Sequence, residues 1–226
     1  MLHKARKSNT IFRPHFKTHQ SAAIGSWFKE YGIDKITVSS IEMATYFYQN
    51  GWNDITIAFP VNPFEVPAIN KLSGDIKLNI LFSDLGAFQL LAPEIKNETG
   101  FFIEIDNGYH RSGLDPSSPD IEKLLILAQK NRNLVFKGFL SHEGNTYSAA
   151  STKQVKAIHS QAKDNMLALK SYHITDYPDI IISMGDTPAC SIVENFENID
   201  EVRPGNFIFY DLMQLGIHSC KNEQIS

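Results

Sequence analysis

The heptad Arg13-Pro14-His15-Phe16-Lys17-Thr18-His19 decides how the rest of the chain is read. An apolar, β-prone run (Ile11, Phe12, Phe16) leads into a single lysine, and a helix-like segment begins near Gln20. That order places Lys17 at the carboxyl end of a buried strand, where barrels and open α/β sheets carry their chemistry. A lysine desolvated there loses its proton readily and condenses with an aldehyde to a Schiff base. The heptad alone favours a lysine reaching from a strand end into solvent, so the remaining segments decide.

Outward from the heptad, short apolar or β-branched runs alternate with longer helix-like stretches, the pattern of βαβ units and a parallel sheet. Strands are expected over 11–16, 36–39, 54–59, 78–82, 101–105, 134–140, 179–184 and 207–210. Helices are expected over 20–31, 42–49 after the Ser40 cap, from Pro63 onward, and over 85–95, 121–129 and 153–170. Eight strands close a (β/α)8 barrel of the TIM type, an α/β fold with its site at the mouth. An open doubly wound sheet is the alternative, but no G-x-G-x-x-G follows the first strand. Residues 1–10 are expected to be an N-terminal tail in which Lys4, Arg6 and Lys7 are solvated, 11–216 the barrel and 217–226 a C-terminal tail. Trp27, Phe28, Phe47 and Phe88 are expected in the core.

Composition narrows the function classes. The 226 residues are 42% hydrophobic and 20% charged, with a net charge of -4, so no basic stripe recommends nucleic acid as a partner. Cys190 and Cys220 are too few for a disulfide framework, which makes a reducing, cytoplasmic setting the expectation. No apolar run is long enough to span a membrane, and the N-terminus lacks the apolar core of a signal peptide.

The residues just past the strands carry the chemistry. The fifth strand runs into Asp106-Asn107-Gly108-Tyr109-His110-Arg111-Ser112-Gly113, whose glycines permit turns that aim Arg111 back into the mouth. The sixth ends in Ser141-His142-Glu143-Gly144-Asn145-Thr146-Tyr147 and the seventh in Gly185-Asp186-Thr187-Pro188, while Arg203-Pro204-Gly205-Asn206 approaches the eighth. Gly185 and Gly205, beside Thr187 and Asn206, could bring backbone amides and a hydroxyl onto a phosphate, which the last two βα loops of barrels often hold. Each glycine alone is more readily a turn residue, and it is the two loops on adjacent strands that reverse that preference. Arg111 could instead pair with Glu104 or Asp106, His142 could be a satisfied core histidine, Arg203 a packing residue and Tyr147 a capping aromatic. A phosphate site, a Schiff-base lysine and inward arginines together suggest pyridoxal 5'-phosphate.

These residues resemble the D-threonine aldolase and D-serine dehydratase family, which shares its barrel with alanine racemase. Residues 13–19 resemble its cofactor-lysine motif, 106–113 its D-x-G-x-x-R-x-G, 185–188 its phosphate loop and Glu201-Val202-Arg203-Pro204-Gly205 its strand-eight motif, in the family's order across 11–216. The resemblance implies that Lys17 is the catalytic Schiff-base lysine and that Arg111 contacts the phenolic oxygen. It implies that His142 lies against the pyridine ring, that Arg203 faces the ring nitrogen, and that Gly185, Thr187, Gly205 and Asn206 hold phosphate. Tyr147 is a second catalytic and cofactor-contact candidate. The implied activity is a lyase on a D-amino acid, by retro-aldol cleavage or dehydration, in a homodimer. An amino-acid racemase, or a truncated barrel that holds the cofactor without turnover, are the alternatives.

Departures bear on activity. Gly144-Asn145 stands where the family has Gly-His, replacing a titratable group by an amide. The family's C-terminal β domain, with the divalent-metal ligands, is expected to be absent, so no residue here is assigned to metal. His218-Ser219-Cys220 has the spacing of that family's zinc pair, but two residues cannot fill a tetrahedral site, and it is expected to be structural.

Overall fold

The computed structural model describes residues 1–226. Eight parallel strands form one sheet: β1 (Ile11–Phe12), β2 (Ile36–Val38), β3 (Asp54–Pro60), β4 (Lys77–Phe82), β5 (Thr99–Ile105), β6 (Leu134–Ser141), β7 (Ile181–Met184) and β8 (Glu201–Val202). The order β1-β8-β7-β6-β5-β4-β3-β2 runs around the molecule. The ends meet where His15 bridges Thr37, with Phe16 N–H donating to the Thr37 carbonyl at 2.8 Å and Thr37 N–H to that of Pro14 at 2.9 Å. The expected barrel is thus present, and the heptad is itself the seam that closes it.

Nine α-helices complete the chain: α1 (Leu2–Lys7), α2 (Ala22–Glu30), α3 (Ile41–Gln49), α4 (Val66–Ser73), α5 (Leu85–Leu91), α6 (Asp120–Ala128), α7 (Thr152–His173), α8 (Thr187–Ile192) and α9 (Leu212–Gly216). Ser21, Ser40, Asp84, Ser151, Asp186 and Asp211 each accept a first-turn amide, which sets where α2, α3, α5, α7, α8 and α9 begin.

Side chains alternate across the strands, so each strand gives one set to the helices and one to the barrel interior. The outer set, with Phe82, Phe101 and Phe139, belongs to the main core under the helices, where Phe88 of α5 meets it. The inner apolar layer is only Leu81, Phe102 and Leu140, packed with Ala58 and Ile181. Much of the remaining interior is polar and buried, including Arg13, Thr37, Thr56, Asn79, Glu104, Ser183, Glu201 and Arg203. A TIM-type interior is normally filled by branched apolar side chains, so this one diverts space to charge.

Four expectations need correction. Strand eight is Glu201–Val202, and residues 206–208 form a 3₁₀ turn instead of a strand. Phe207 sits outside the barrel, edge-on to Phe12 and Phe28 at 5.8 and 6.2 Å. The Arg203 motif therefore leaves strand eight rather than approaching it, which puts it at the carboxyl ends of the strands. Residues 2–7 are helical, with Ala5 fully buried, so they are no loose tail. Lys4 is not freely solvated either, because its ammonium donates to the carbonyls of Cys190 and Val193. Phe28, Phe47 and Phe88 are core residues as expected, but Trp27 is 52% exposed.

Candidate active site

Lys17 follows the seam directly. Phe16 is fully buried among Phe28, Phe47 and Trp52, with ring centroids 5.0 to 5.1 Å apart, and this aromatic plug fixes the chain just before the lysine. The Lys17 amide donates to His15 Nδ1 at 3.3 Å. Its ammonium has no ion-pair partner, and although Lys17 reaches solvent at the open mouth its pKa is lowered, first by desolvation and then by the cations of Arg111 and Arg203. Burial, followed by repulsion from Lys17 and Arg203, holds the neighbouring His15 neutral by pushing its pKa well down.

Arg203 is buried at the end of β8. Its Nε donates to Ser183 Oγ at 2.7 Å, and its Nη2 to the carbonyls of Ser141 at 2.6 Å and Ser183 at 3.2 Å. No carboxylate lies in ion-pair range of Arg203 or of Arg111. Arg111 instead sits 5.0 Å over the Tyr109 ring. The carboxylates that could have taken Arg111 are engaged elsewhere, Glu104 by the Ser112 hydroxyl at 3.0 Å and Asp106 by the amides of Gly108, Tyr109 and His110. His142 donates toward the Gly185 carbonyl at 3.4 Å, and burial, then Lys17, then Arg203 lower its pKa to about 3, so it is a neutral ring in the mouth.

The β7 and β8 loops meet beside these cations. Gly185 has φ of +129°, and a Cβ there would lie 2.9 Å from the Arg203 amide nitrogen. A Cβ at Gly205 would lie 2.8 Å from the His15 carbonyl oxygen. Both glycines are therefore required by close backbone approach. The Asn206 amide donates to Thr187 Oγ1 at 2.9 Å, and the Thr187 amide to the Tyr147 hydroxyl at 3.4 Å, so Thr187, Asn206 and Tyr147 form one polar cluster. Burial, then the charge of Asp186, pushes the Tyr147 pKa well up, leaving a neutral hydroxyl.

Asp186 caps α8 and accepts from the Thr146 hydroxyl at 2.7 Å and the Ala189 amide at 2.8 Å, with its other oxygen unpartnered. Burial, then the charge of Glu143, raises its pKa to about 7. The folded chain thus holds a proton here that the unfolded chain releases near pH 4, so stability falls as pH rises from about 4 to about 7. Asp186→Asn keeps the acceptor and removes the titration; urea unfolding across this range should show a flatter pH slope and greater stability at the alkaline end. A slope identical to the parent's would mean that Asp186 is ionised in the folded chain throughout.

All nine site residues singled out in the sequence lie at this end of the barrel, Thr187 at the start of α8 and the other eight on loops and short turns. The sequence left Arg13, His15, Ser141, Glu143, Ser183 and Glu201 without roles. Glu201 and Arg203, two apart on one strand, share a face, and that parity was the available signal. No group of three His, Cys, Asp or Glu side chains is placed to hold a metal ion. In the His218 segment, Ser219 donates to the Gln214 carbonyl at 3.0 Å and His218 has φ of +58°, which is turn geometry.

Residues 2–212 match the family described as "Alanine racemase, N-terminal domain". The chain is 31% identical to a D-serine dehydratase of Dictyostelium discoideum over its whole length and 62% of that protein. It is 26% identical to a D-threo-3-hydroxyaspartate dehydratase of Delftia sp. over 95% of this chain and 58% of that one. The solved structure of the Delftia enzyme superposes on 99% of this chain and 60% of its own, with a TM-score of 0.89 at 25% identity. D-threonine aldolase from Filomicrobium marinum shares the fold, with a TM-score of 0.86 at 19% identity over 94% of this chain. The chain spans about three fifths of the length of these relatives. With its barrel, its ordered motifs and a family match running almost end to end, the chain belongs to the alanine racemase N-terminal domain family.

Proposed function

We propose that the chain carries the site of a pyridoxal 5'-phosphate-dependent lyase acting on D-amino acids, by retro-aldol cleavage of D-threonine-like substrates or dehydration of D-serine-like ones. One observation carries this reading: Lys17, Arg111 and Arg203 converge on one barrel mouth, and none has a carboxylate partner. Glu201, Glu143 and Glu104 act on the buried Arg203 only from beyond ion-pair range, Lys17 and Arg111 reach solvent, and an anionic aldehyde at the mouth would bring a negative charge to all three. The donor set fits such a group. Gly185, Thr187, Gly205 and Asn206, with the Tyr147 hydroxyl, would hold its phosphate, while Arg111, Arg203 and the neutral His142 ring would face its aromatic end.

When bound, the cofactor supplies an aldehyde for the substrate amine and an electron sink for the carbanion at Cα. Lys17 would hold it, and the free Lys17 amine would take the Cα proton at Nζ, a role that its lowered pKa favours. Arg203, a permanent cation, disfavours a proton on the ring nitrogen, so the sink is weaker than one facing a carboxylate. Asn145 lies 3.4 Å from the Gly108 carbonyl through its amide nitrogen and exchanges no proton, so acid catalysis at the substrate hydroxyl is not assigned to it. The same reading carries a homodimer in the cytoplasm; no helix is long and apolar enough to cross a membrane. The relatives' metal chemistry finds no three-ligand group in this chain, and no step is assigned to a metal.

The test supplies pyridoxal phosphate and a divalent cation and offers D- and L-enantiomers of threonine, serine and threo-3-hydroxyaspartate. Expected products come from the D series only, as glycine plus aldehyde or as keto acid plus ammonia. Loss of optical rotation without cleavage would replace this reading by racemisation. No absorbance change on adding pyridoxal phosphate would overturn it.

A further inference from the structure

Two buried arginines and one buried glutamate run through the barrel interior in a single hydrogen-bonded line that the reaction does not require for contact with substrate. Asp54 Oδ1 accepts from Arg13 Nη1 at 2.6 Å, and Arg13 Nε donates to Glu201 Oε2 at 2.6 Å. Ser183 donates its hydroxyl proton to Glu201 Oε1 at 2.6 Å and accepts from Arg203 Nε at 2.7 Å. Glu201 and Ser183 are fully buried, so no water competes for these bonds.

The direction of the line matters. A serine hydroxyl has one proton. With that proton committed to Glu201, the lone pairs of Ser183 face Arg203, and Arg203 Nε has a fixed acceptor. Two carbonyls hold Nη2, so Nη1 is the guanidinium nitrogen left without a partner in the chain. Glu201 cannot itself capture Arg203, because Arg13 holds its second oxygen.

We propose that Glu201, held by Arg13, is a positioning residue that orients the Ser183 hydroxyl so that Arg203 keeps one guanidinium edge free for the ligand. The proposal rests on the reading above that Arg203 faces the cofactor ring, but its geometry is present in the chain without cofactor. It makes the opening residue of the Arg13–His19 heptad part of the same apparatus as its lysine, at the opposite end of the interior.

The test follows the arginine Nε–H groups by nitrogen-15 NMR in the full chain without cofactor; with five arginines the signals are separable. Glu201→Leu removes the acceptor for Ser183 and is expected to speed Arg203 Nε–H exchange by roughly tenfold, the protection of one hydrogen bond. Glu201→Gln retains an acceptor oxygen and should stay near the parent. If the leucine variant does not fold, Glu201→Met, which keeps the side-chain length but offers no oxygen acceptor, is expected to show the same loss. Parent-like exchange at Arg203 in whichever of these two variants folds would overturn the proposal and leave Glu201 a purely structural counter-ion. Adding pyridoxal phosphate labelled at its ring nitrogen gives the second readout. Its signal should move downfield in Glu201→Leu, as a donor is lost, and stay parent-like in Glu201→Gln. If the parent itself binds no pyridoxal phosphate, the functional reading fails, while the exchange measurement still judges the positioning.

Discussion

Replacing Lys17 by alanine is expected to abolish the absorbance band that pyridoxal phosphate develops on the chain and to lower turnover by roughly a thousandfold or more. The loss is chemical rather than structural. Lys17 makes no ion pair and reaches solvent at the mouth, and the anchoring of the loop is done by the buried Phe16 before it. Folding stability should therefore change by no more than about 0.5 kcal/mol, the usual range for a surface position. Removing a cation from beside Arg111 and Arg203 even favours the folded chain. Lys17→Arg separates charge from nucleophilicity: it keeps the positive charge and should still attract phosphate, yet a guanidinium stays protonated and forms no imine. A band surviving in Lys17→Ala would move the nucleophile elsewhere, and the lysines nearest in sequence lie away from the mouth, Lys7 at the end of α1 and Lys4 and Lys29 against Phe196 and Trp52.

The catalytic end of this barrel was legible in the sequence because its residues are tied to strand ends, and strand ends are marked by glycines. Gly185 and Gly205 stand out since no other residue tolerates the backbone approach they permit. The interior was much less legible. The apolar run Phe207–Tyr210 carries the signal of a buried strand. Those residues are only partly buried, and Phe207 and Ile208 flank an outer groove with Phe12, Trp27 and Phe28, whereas the real strand is Glu201–Val202. Its glutamate sits in the core because Arg13 is already there, 188 residues earlier, and a buried guanidinium needs a carboxylate. Pairing across that separation leaves no periodicity to read. The same blindness hid Lys4, whose ammonium satisfies carbonyls at the end of α8.

Gly138→Ala is expected to be the most destabilising single methyl addition in the barrel wall, costing more than about 3 kcal/mol and lowering the unfolding midpoint by roughly 10 °C. Gly138 has φ of +139°, and a Cβ built on it would stand 1.9 Å from the Ile181 carbonyl oxygen and 2.7 Å from the Ile181 nitrogen on β7. Neither atom can give way, since both belong to the neighbouring strand. The position also governs the site. Phe101 pairs with Phe136 but Phe102 with Gly138, so β6 carries one extra residue, a β-bulge at Lys137. A one-residue shift exchanges the faces of every side chain beyond it. Because of the bulge, Phe136 and Phe139 both face the outer helices, and Leu140 turns inward beside Leu81 and Phe102. His142, two residues on, then enters the mouth, and the Ser141 carbonyl receives Arg203. Any Gly138→Ala chain that still folds should bind pyridoxal phosphate more weakly than the parent, whereas Lys137→Ala, at the bulge but free of the clash, should bind it normally. Thermal unfolding followed by circular dichroism, with cofactor titration on the same samples, checks both. An unchanged midpoint would mean that β6 passes Ile181 in another register, and the inward placement of His142 would fall with it.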